Sequence, residues 1–404
     1  MKKQNRIPST EPKTQEDVER FHHGFVRSTY PKDGVQVRSE EFNFIRWLEL
    51  ADDLVAALDS STDAAYNEKP NGRGGTMREL TKVGWKIYGL CRSFDPKIAE
   101  HYALYRFSPP LAAALKVVGG RATELCSYCR PDGSLPLGEP EARQVVNEIL
   151  ASLRQECGSA AYKTTVENYR RRQGKNLTSC VDYMAAQFEK RSVLLITRVD
   201  LYIRPAFKGW GYTREADACY SRLLRSLTEN RIIPDVLGYI AKREDGIDRG
   251  IHFHLLIIQD GHLHRDAANM ARLVGEKWVQ ICESDVVVQA SDYGPETRAN
   301  RGSYFNCYAR AEHYRFNGLG LVRGFDADKL RGLRLAIEYL CKEPYQLKPD
   351  LQPDSEMPTI SLGRAGKGVR NLRKGVMPKG HSGRGAPRRI ALDDSLLKSI
   401  LLKV

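Results

Sequence analysis

Apolar residues recur with two different periods along the chain, and the change of period divides it into two regions. From Glu40 to about Gln173 they are spaced by three and four, which predicts amphipathic helices. One such stripe is Val145, Val146, Ile149, Leu150 and Leu153. Breaks rich in Gly, Asn and Pro at 69–75 and 131–140 are expected to separate these helices. We therefore predict an α-helical N-terminal region that follows a disordered polar tail over residues 1–16.

After Arg191 the apolar residues form short runs rich in β-branched side chains, typical of strands, and these alternate with helical stretches. The predicted strands are 192–203, 236–244, 249–258 and 285–289, and the predicted helices are 213–229 and 265–283. This βαββαβ order predicts a ferredoxin-like α+β domain, an antiparallel sheet with helices on one side. A last helix is expected from its cap Asp326 to about Cys341. Its buried stripe is Leu330, Leu333, Ile337 and Leu340.

Basic charge concentrates near the C-terminus. The chain carries 63 Lys and Arg against 50 Asp and Glu, a net charge of +13, and residues 361–390 contain nine Lys or Arg and no acidic residue. Such an excess favours a polyanionic partner. This segment is rich in Gly, so we expect salt-sensitive contacts with nucleic-acid phosphates or else a solubilising tail. The candidate contact residues in it are Arg364, Lys367, Arg370, Arg373 and Lys374.

These patterns predict four segments. They are a disordered tail (1–16), a helical N-terminal region (17–185), the α+β domain (190–345) and a basic flexible C-terminal segment (355–404). Near the end of the helical region, the stretch Tyr169-Arg170-Arg171-Arg172-Gln173-Gly174-Lys175 predicts either phosphate contacts or, more often for a short charge run, a solvated linker. On the first predicted strand, Arg198, Asp200 and Tyr202 are two residues apart and therefore share one face. We expect this face either to line a DNA groove or to be solvated.

We expect that the chain is not exported. Two lysines near the N-terminus are not followed by an apolar segment, and no later run approaches the roughly 18 apolar residues of a membrane span. The nine cysteines are scattered, which suits reduced thiols. Cys126 and Cys129 form a CxxC pair without a second pair at zinc-ribbon spacing, so a structural zinc site is the less favoured interpretation. We expect a cytoplasmic protein with no membrane partner.

The stretch from Arg249 to Ile258 contains the first candidate for chemistry. Strand residues alternate between faces, so His252 and His254 share one face. Glu244 ends the preceding strand and lies beside them if the two strands pair antiparallel. Two imidazoles and one carboxylate leave open positions on a divalent ion, which suits a catalytic site for Mn²⁺, Zn²⁺ or Fe²⁺. The alternatives are two histidines satisfied within a half-buried sheet and a surface glutamate.

A second His-x-His pair, His262 and His264, is the weaker metal candidate. It follows the turn Asp260-Gly261 and precedes a helix. A loop does not hold two imidazoles on one face without support, so we expect the ion at the strand pair instead.

The last predicted helix supplies a candidate nucleophile. Tyr339 and Lys342 lie on one helix face, away from the buried stripe, so core packing does not require them. A phenol with a pKa of about 10 needs neighbouring positive charge to attack, and Lys342 together with a metal-polarised substrate would supply it. Tyr345 and the pair Tyr304 and Tyr308 are alternative nucleophiles.

Together these motifs resemble the HUH endonucleases, the rolling-circle replication initiators and relaxases. Within them, four segments resemble the inovirus-type replication proteins, a group that includes relatives of the filamentous-phage gene II protein and the prophage-encoded YagK/YfjJ C-terminal domain family. The segments are Arg198-Val199-Asp200-Leu201, Gly238-Tyr239-Ile240-Ala241-Lys242-Arg243-Glu244, Gly250-Ile251-His252-Phe253-His254-Leu255-Leu256 and Gly275-Glu276-Lys277-Trp278. The resemblance covers residues 190–345 and leaves residues 1–185 outside it.

The resemblance implies a DNA nicking and joining reaction. His252, His254 and Glu244 would hold Mg²⁺ or Mn²⁺, and the Tyr339 oxygen would attack a phosphate of single-stranded DNA at a replication origin. The products would be a 5′-phosphotyrosine link and a free 3′-OH that can prime replication of a phage, plasmid or integrated element. Arg198 and the basic segment would contact the DNA, and a host replication helicase would be a further partner.

Two other functions compete with nicking. The first is a DNA-binding regulator on the same fold that does not cleave. The second is a metal-dependent phosphoesterase that acts on small substrates. Covalent capture of an oligonucleotide in Mn²⁺, lost in Tyr339→Phe, distinguishes nicking from both.

Overall fold

The chain divides into two compact units. The computed structural model describes residues 29–32, 35–38, 47, 50–51, 53–58, 61–72, 74–94, 105–131, 134–203, 212–246, 250–284, 301–314, 316–341, 345–347, 371–378 and 394–401. The N-terminal unit comprises Ser28–Gln173 and Glu343–Val369, and the sheet unit comprises Met1–Arg27, Gly174–Lys342 and Arg370–Val404. The division after Gln173 falls inside one helix, Ala160–Lys190, which contributes buried residues to the core of the sheet unit only from Cys180 onward.

Helices form much of the described N-terminal unit. They include Lys82–Arg92, Pro109–Val118, Ala122–Ser127, Pro140–Gly158 and the first turns of Ala160–Lys190. Two of them begin at a proline, whose fixed φ and missing N–H suit the first helical position. The predicted stripe from Val145 to Leu153 is buried. No helix in the described part of the chain, in either unit, combines the length and apolar character needed to cross a membrane.

The N-terminal unit also contains strands, so the prediction of an entirely helical region was wrong in this respect. Hairpins join Thr29–Lys32 to Val35–Arg38 and Tyr66–Pro70 to Thr76–Leu80, and Tyr105–Phe107 pairs with Tyr345–Leu347. The second hairpin turns at the predicted break over 69–75, where Gly74 has φ +78°. Its strands are largely exposed, and an ion pair of 2.6 Å joins Arg78 to Glu68 across them. Such strands lack the apolar alternation that identifies a strand in sequence.

The sheet unit is an α+β fold built on one antiparallel sheet, as predicted. Its elements in chain order are α1 (the end of Ala160–Lys190), β1 (Val193–Ile203), α2 (Tyr212–Thr228), β2 (Val236–Gly246), β3 (Gly250–Asp260), α3 (Ala267–Ser284), β4 (Gly302–Asn306), β5 (Gly320–Arg323), α4 (Ala327–Cys341), β6 (Leu372–Lys374) and α5 (Asp394–Leu401). The strand order is β5-β1-β3-β2-β6, and β4 pairs with the end of β1 that β5 does not reach. The strand predicted over 285–289 lies outside the described residues.

Helices cover both faces of the sheet, so the prediction of helices on one side was wrong. α2 and α3 pack on one face, and the end of α1, α4 and α5 pack on the other. The cause is visible in β1, which is buried at nearly every position, as expected of a strand covered on both sides. Leu397 and Leu401 of α5 are part of the second cover.

The basic C-terminal segment contains two regular elements. Leu372–Lys374 forms β6, which pairs with β2 at the edge of the sheet, and Asp394–Leu401 forms α5. The expectation of a wholly flexible segment is therefore wrong for these residues. An edge strand needs backbone hydrogen bonds to one neighbour only, so a short segment without an apolar pattern can form it.

Candidate functional site

The candidate metal ligands lie on two neighbouring strands. His252 and His254 alternate along β3 on the face of Leu256 and Ile258, which packs against α4. Glu244 of β2 stands directly opposite His252 in the antiparallel register. The pairing of β2 with β3 thus brings the carboxylate beside the two imidazoles, because residues opposite each other across a ladder share one face of the sheet.

The three side chains form a compact, buried group. Glu244 Oε2 lies 3.2 Å from His252 Nε2 and 3.3 Å from His254 Nε2. One oxygen and two nitrogens thus lie within 4.8 Å of one another. Ligand bonds of about 2.0–2.2 Å to a single ion place neighbouring donor atoms roughly 3 Å apart, so the donor set fits a divalent ion. Among the described residues, this is the group of His, Cys, Asp and Glu side chains that could hold one.

Asp200 contacts the Nδ1 side of the second imidazole, His254. It stands opposite His254 on β1, and its Oδ1 lies 2.7 Å from His254 Nδ1. A carboxylate at Nδ1 favours a proton on that nitrogen, which directs the lone pair of Nε2 toward Glu244 and any ion held there. On the other imidazole, the Tyr202 ring stacks against His252 with centroids 5.7 Å apart. Both ligand rings are therefore held in orientation by β1.

Replacing Asp200 with asparagine is expected to weaken Mn²⁺ binding by about 10- to 100-fold, because the second imidazole loses the anionic partner that orients it. Isothermal titration of the metal-free protein measures the dissociation constant. The matched control is Asp217→Asn, since the Asp217 carboxylate lies 2.9 Å from Arg243 instead of a ligand. Similar losses in both variants would mean that Asp200 contributes to the fold and not to the ion.

Burial keeps His254 neutral. Burial lowers its pKa from 6.5 to about 4, with Arg198 and Lys242 acting in the same direction and Asp200 opposing them. A histidine must be neutral to bind a metal ion. The imidazole is therefore in its ligand form throughout the physiological pH range.

The same shift predicts how the metal-free protein responds to acid. The unfolded chain protonates this histidine near pH 6.5, whereas the folded protein resists until about pH 4. Unfolding therefore takes up a proton in this window, and the free energy of unfolding should fall by about 3 kcal/mol as pH falls through it. Denaturant titrations in EDTA at several pH values measure the slope. His254→Asn should lower that slope. An unchanged slope would show that His254 is not the group that takes up the proton.

Lys242 places a buried positive charge against the third ligand. Its Nζ lies 2.5 Å from Glu244 Oε1, whereas the imidazoles contact the other oxygen, Oε2. The same ammonium donates to the backbone oxygen of Tyr339 at 3.4 Å and lies 5.2 Å from the centre of its ring. Lys242 therefore contacts both the proposed ligand set and the tyrosine-bearing helix.

Tyr339 reaches the site from α4. Its Oη lies 3.3 Å from His254 Nε2, and its half-buried ring stands edge-on to the imidazole with centroids 5.5 Å apart. The Arg198 guanidinium covers the ring at 4.7 Å. The phenol thus lies between one imidazole and two buried cations. The buried stripe of α4 is the predicted one, from Leu330 to Leu340, and Tyr339 packs at its margin.

The other predicted site residues differ in what the structure describes of them. Lys342, Arg364, Lys367 and Arg370 lie outside the described residues. Tyr345 belongs to the N-terminal unit, where its strand pairs with Tyr105–Phe107. Tyr308 lies on the sheet unit but is 39% exposed. In the described part of the chain, positive charge reaches the Tyr339 ring from β1 and β2.

The second histidine pair is divided between two separate partners. His262 Nε2 lies 3.1 Å from the Ser192 hydroxyl, and His264 Nε2 lies 2.8 Å from an Asp235 carboxylate oxygen. Among the described residues, the two imidazoles do not form a compact group of three His, Cys, Asp or Glu side chains. The prediction that this pair is the weaker metal candidate agrees with these contacts.

The residues predicted to bind DNA lie in different environments. Arg198 is 8% exposed, so the interpretation of its strand face as solvated was wrong; α4 covers that face. Arg373 and Lys374 lie in β6. Arg373 approaches the Tyr220 ring at 6.0 Å, and Lys374 donates to the backbone oxygen of Ser179 at 2.7 Å. Both side chains thus contact other residues of the sheet unit.

Sequence reasoning missed the roles of Asp200 and Lys242 in this cluster. The signal was present in the two-residue period, since Lys242 shares a strand face with Glu244 and Asp200 shares one with Arg198. What was lacking was the register, which pairs both residues with His254.

Comparisons of the chain with protein-family models, curated proteins and solved structures find no match. The functional conclusion therefore rests on the geometry of the site.

Proposed function

We propose that this chain nicks and rejoins single-stranded DNA through a tyrosine that becomes linked to the 5′ phosphate. The observation that carries the proposal is the 3.3 Å separation of Tyr339 Oη and His254 Nε2, within a buried group of two imidazoles and one carboxylate. A phenol in this position is what a metal-assisted transesterification needs. A purely structural ion site would not require it.

The fold is consistent with this proposal. The order β4-β1-β3-β2, with α2 and α3 on one face, agrees with the ferredoxin-like arrangement that the HUH resemblance implies. The two histidines lie on the central strand β3, and its neighbours β1 and β2 supply Asp200 and Glu244. In this interpretation β5, β6 and the helices of the other face are additions to a common core.

Each residue of the site has a role in the proposed reaction. A bound Mg²⁺ or Mn²⁺ would polarise a nonbridging oxygen of the scissile phosphate. Tyr339 Oη attacks the phosphorus and forms a new P–O bond as the bond to the 3′ oxygen breaks. The phenol gives up its proton and the 3′ oxygen gains one, so the products are a phosphotyrosine and a 3′-OH. Arg198 and Lys242 favour the attacking oxygen as an anion through their positive charge.

Substrate entry requires a movement of the tyrosine. At 3.3 Å the phenol oxygen touches the imidazole, which leaves no space for a phosphate between them. The Tyr339 side chain must therefore rotate away, or α4 must shift outward, before DNA can bind productively. Either movement would break the contacts of the Tyr339 ring with His254, Arg198 and Lys242, and a shift of α4 would also break the contact of Lys242 with the Tyr339 backbone oxygen.

We infer that Mn²⁺ is the ion to test first. The two nitrogens and one oxygen suit Mn²⁺ or Zn²⁺ better than Mg²⁺, which prefers oxygen ligands. The resemblance to HUH endonucleases implies Mg²⁺ or Mn²⁺. Mn²⁺ satisfies both arguments. The proposed context is initiation of DNA replication for a phage, plasmid or integrated element, in the cytoplasm.

The test is covalent capture of DNA. The full chain is incubated with a pool of labelled single-stranded oligonucleotides, with Mn²⁺ or with EDTA, and the products are separated under denaturing conditions. A labelled adduct that needs Mn²⁺, with the nucleotide mapped to Tyr339 by mass spectrometry, is the expected result. Oligonucleotide binding without an adduct would instead favour the DNA-binding regulator. Turnover of a small phosphoester without capture would favour the phosphoesterase.

A further inference from the structure

The helix Ala160–Lys190 presents an exposed basic stretch within the N-terminal unit, far along the chain from the residues of the proposed nicking site. Arg170, Arg171 and Arg172 are all exposed, and so is Lys163 two turns earlier. Between Ala160 and Gln173 these four cations face a single acidic residue, Glu167. The stretch is continuous helix, so the sequence-based alternative of a solvated linker does not describe it.

The charges of this basic stretch are not neutralised locally. Within the described part of the chain, none of the three arginines pairs with a carboxylate. Arg171 donates to the amide oxygen of Asn168, and Arg172 lies 5.4 Å from the centre of the Tyr169 ring. Three exposed cations within one helical turn create a region of positive potential that attracts an anionic partner. The arrangement therefore favours a polyanion.

This part of the helix lies at the margin of the core. From Ala160 to Ser179 no residue is buried, although the half-buried Tyr162 and Leu177 pack against hydrophobic clusters. A helix without buried residues gains little from packing, and short helices are marginal in water by themselves. The stretch also lacks the large exposed apolar face with which an amphipathic helix enters a membrane surface. Of the two common polyanionic partners, nucleic acid is thus favoured over a lipid surface.

We propose that Arg170, Arg171 and Arg172 bind the phosphate backbone of duplex DNA without reading its bases. Duplex DNA has a higher charge density than a single strand, so each phosphate neutralised by a Lys or Arg contributes more to the binding affinity. Sequence-tolerant binding of single strands relies on aromatic rings on which bases stack. The nearest ring here, Tyr169, is half-buried and already contacts Arg172. This surface would hold the double-stranded DNA that flanks a single-stranded site.

The test measures binding and needs no cleavage. The full chain in EDTA is titrated onto a fluorescein-labelled duplex of mixed sequence, between about 50 and 200 mM salt. The variant Arg170→Gln/Arg171→Gln/Arg172→Gln should bind at least about tenfold more weakly, and its slope of log K against log salt should be smaller by about 2 to 3. Since glutamine supports helices, circular dichroism should show unchanged helicity.

Two further variants keep the result interpretable. The control Lys82→Gln/Arg222→Gln/Arg225→Gln removes the same charge from other exposed helical positions. It should retain most of the slope of log K against log salt. The variant with lysine at all three arginine positions keeps the charge and should keep the slope. Equal losses in the glutamine variant and the control would overturn the proposal, as would loss of the slope in the lysine variant.

Competition distinguishes the remaining partners. Unlabelled duplex should displace the labelled duplex better than a single strand of the same length or vesicles rich in phosphatidylserine. Tighter binding to vesicles, or a clear preference for the single strand that the glutamine variant loses, would overturn the assignment to duplex DNA. Because the assay contains EDTA, its outcome is independent of whether the chain nicks DNA.

Discussion

A chain with Tyr339→Phe is expected to form no covalent complex with single-stranded DNA in Mn²⁺, a loss of at least about a thousandfold. The substitution removes only the oxygen that would become bonded to phosphorus. The phenyl ring can keep its contacts with Arg198 and Lys242 and its edge contact with His254. Mn²⁺ affinity and the free energy of unfolding should therefore change little, since a single hydrogen bond contributes about 1 kcal/mol.

The matched control for this substitution is Tyr308→Phe. Tyr308 belongs to the same unit but is 39% exposed and lies on the 3-10 helix Cys307–His313. Adduct formation should persist in this variant and in Tyr345→Phe. If capture survives in Tyr339→Phe and disappears in either of the others, the nucleophile has been misassigned even though the chain nicks DNA. If all three variants and the unaltered chain fail equally, nicking itself is wrong.

Replacing Lys242 with methionine is expected to lower the free energy of unfolding by about 3 to 5 kcal/mol in EDTA. The Glu244 carboxylate is 8% exposed, and Lys242 Nζ is 2.5 Å from its Oε1. Without the ammonium, a buried negative charge loses its partner. Saturating Mn²⁺ should recover most of this loss, because an ion held by Glu244 and the two imidazoles supplies the missing positive charge. Thermal or denaturant unfolding with and without Mn²⁺ measures both effects.

Arg243→Met is the matched control for the lysine variant. Arg243 neighbours Lys242 on β2, points to the opposite face and is equally buried, with its Nε 2.9 Å from an Asp217 oxygen. Its removal should also destabilise the protein, but Mn²⁺ should not recover the loss beyond its effect on the unaltered chain. Equal recovery in the two variants would show that Mn²⁺ acts by general binding and that Lys242 has no special relation to the ion. No recovery in either would argue against an ion at Glu244.

If both results hold, Lys242 has a double role in the site. In the metal-free protein it neutralises Glu244. Its contact with the Tyr339 backbone oxygen also couples the occupancy of the metal site to the position of α4. An ion that binds Glu244 competes with this ammonium for the same carboxylate. Lys242→Met should therefore also bind Mn²⁺ more tightly than the unaltered chain, because one repelling charge is gone.

Local patterns were sufficient for the elements that present the site. The alternation of β3 predicted that His252 and His254 share a face, and the short turn after β2 predicted that Glu244 would pair beside them. The three-and-four spacing of Leu330 to Leu340 predicted the core face of α4. These features depend on the geometry of a single strand, hairpin or helix. Each is set by residues close together in the chain, so one sequence is enough to read them.

Features that join distant elements were not readable in this way. Hairpin strands of the N-terminal unit are charged and exposed, so no apolar period distinguishes them from a loop. Strand β6 and helix α5 come from a segment whose composition resembles a flexible tail. The cover on the second face of the sheet was missed for another reason, since the period of α4 shows that one side of the helix is buried and does not show which face of the sheet it covers. Whether such segments pack depends on the surface offered by the rest of the fold.

By itself, the sequence determined which side chains share a strand face or a helix face in this protein, because backbone geometry sets those periods locally. Only the tertiary structure decided which faces meet. Tyr339 and His254 are 85 residues apart in the chain and 3.3 Å apart at their polar atoms. Asp200 and Lys242 join the same cluster through the register of three strands. Such contacts depend on how the strands pair and how α4 packs across them, and no local period encodes either.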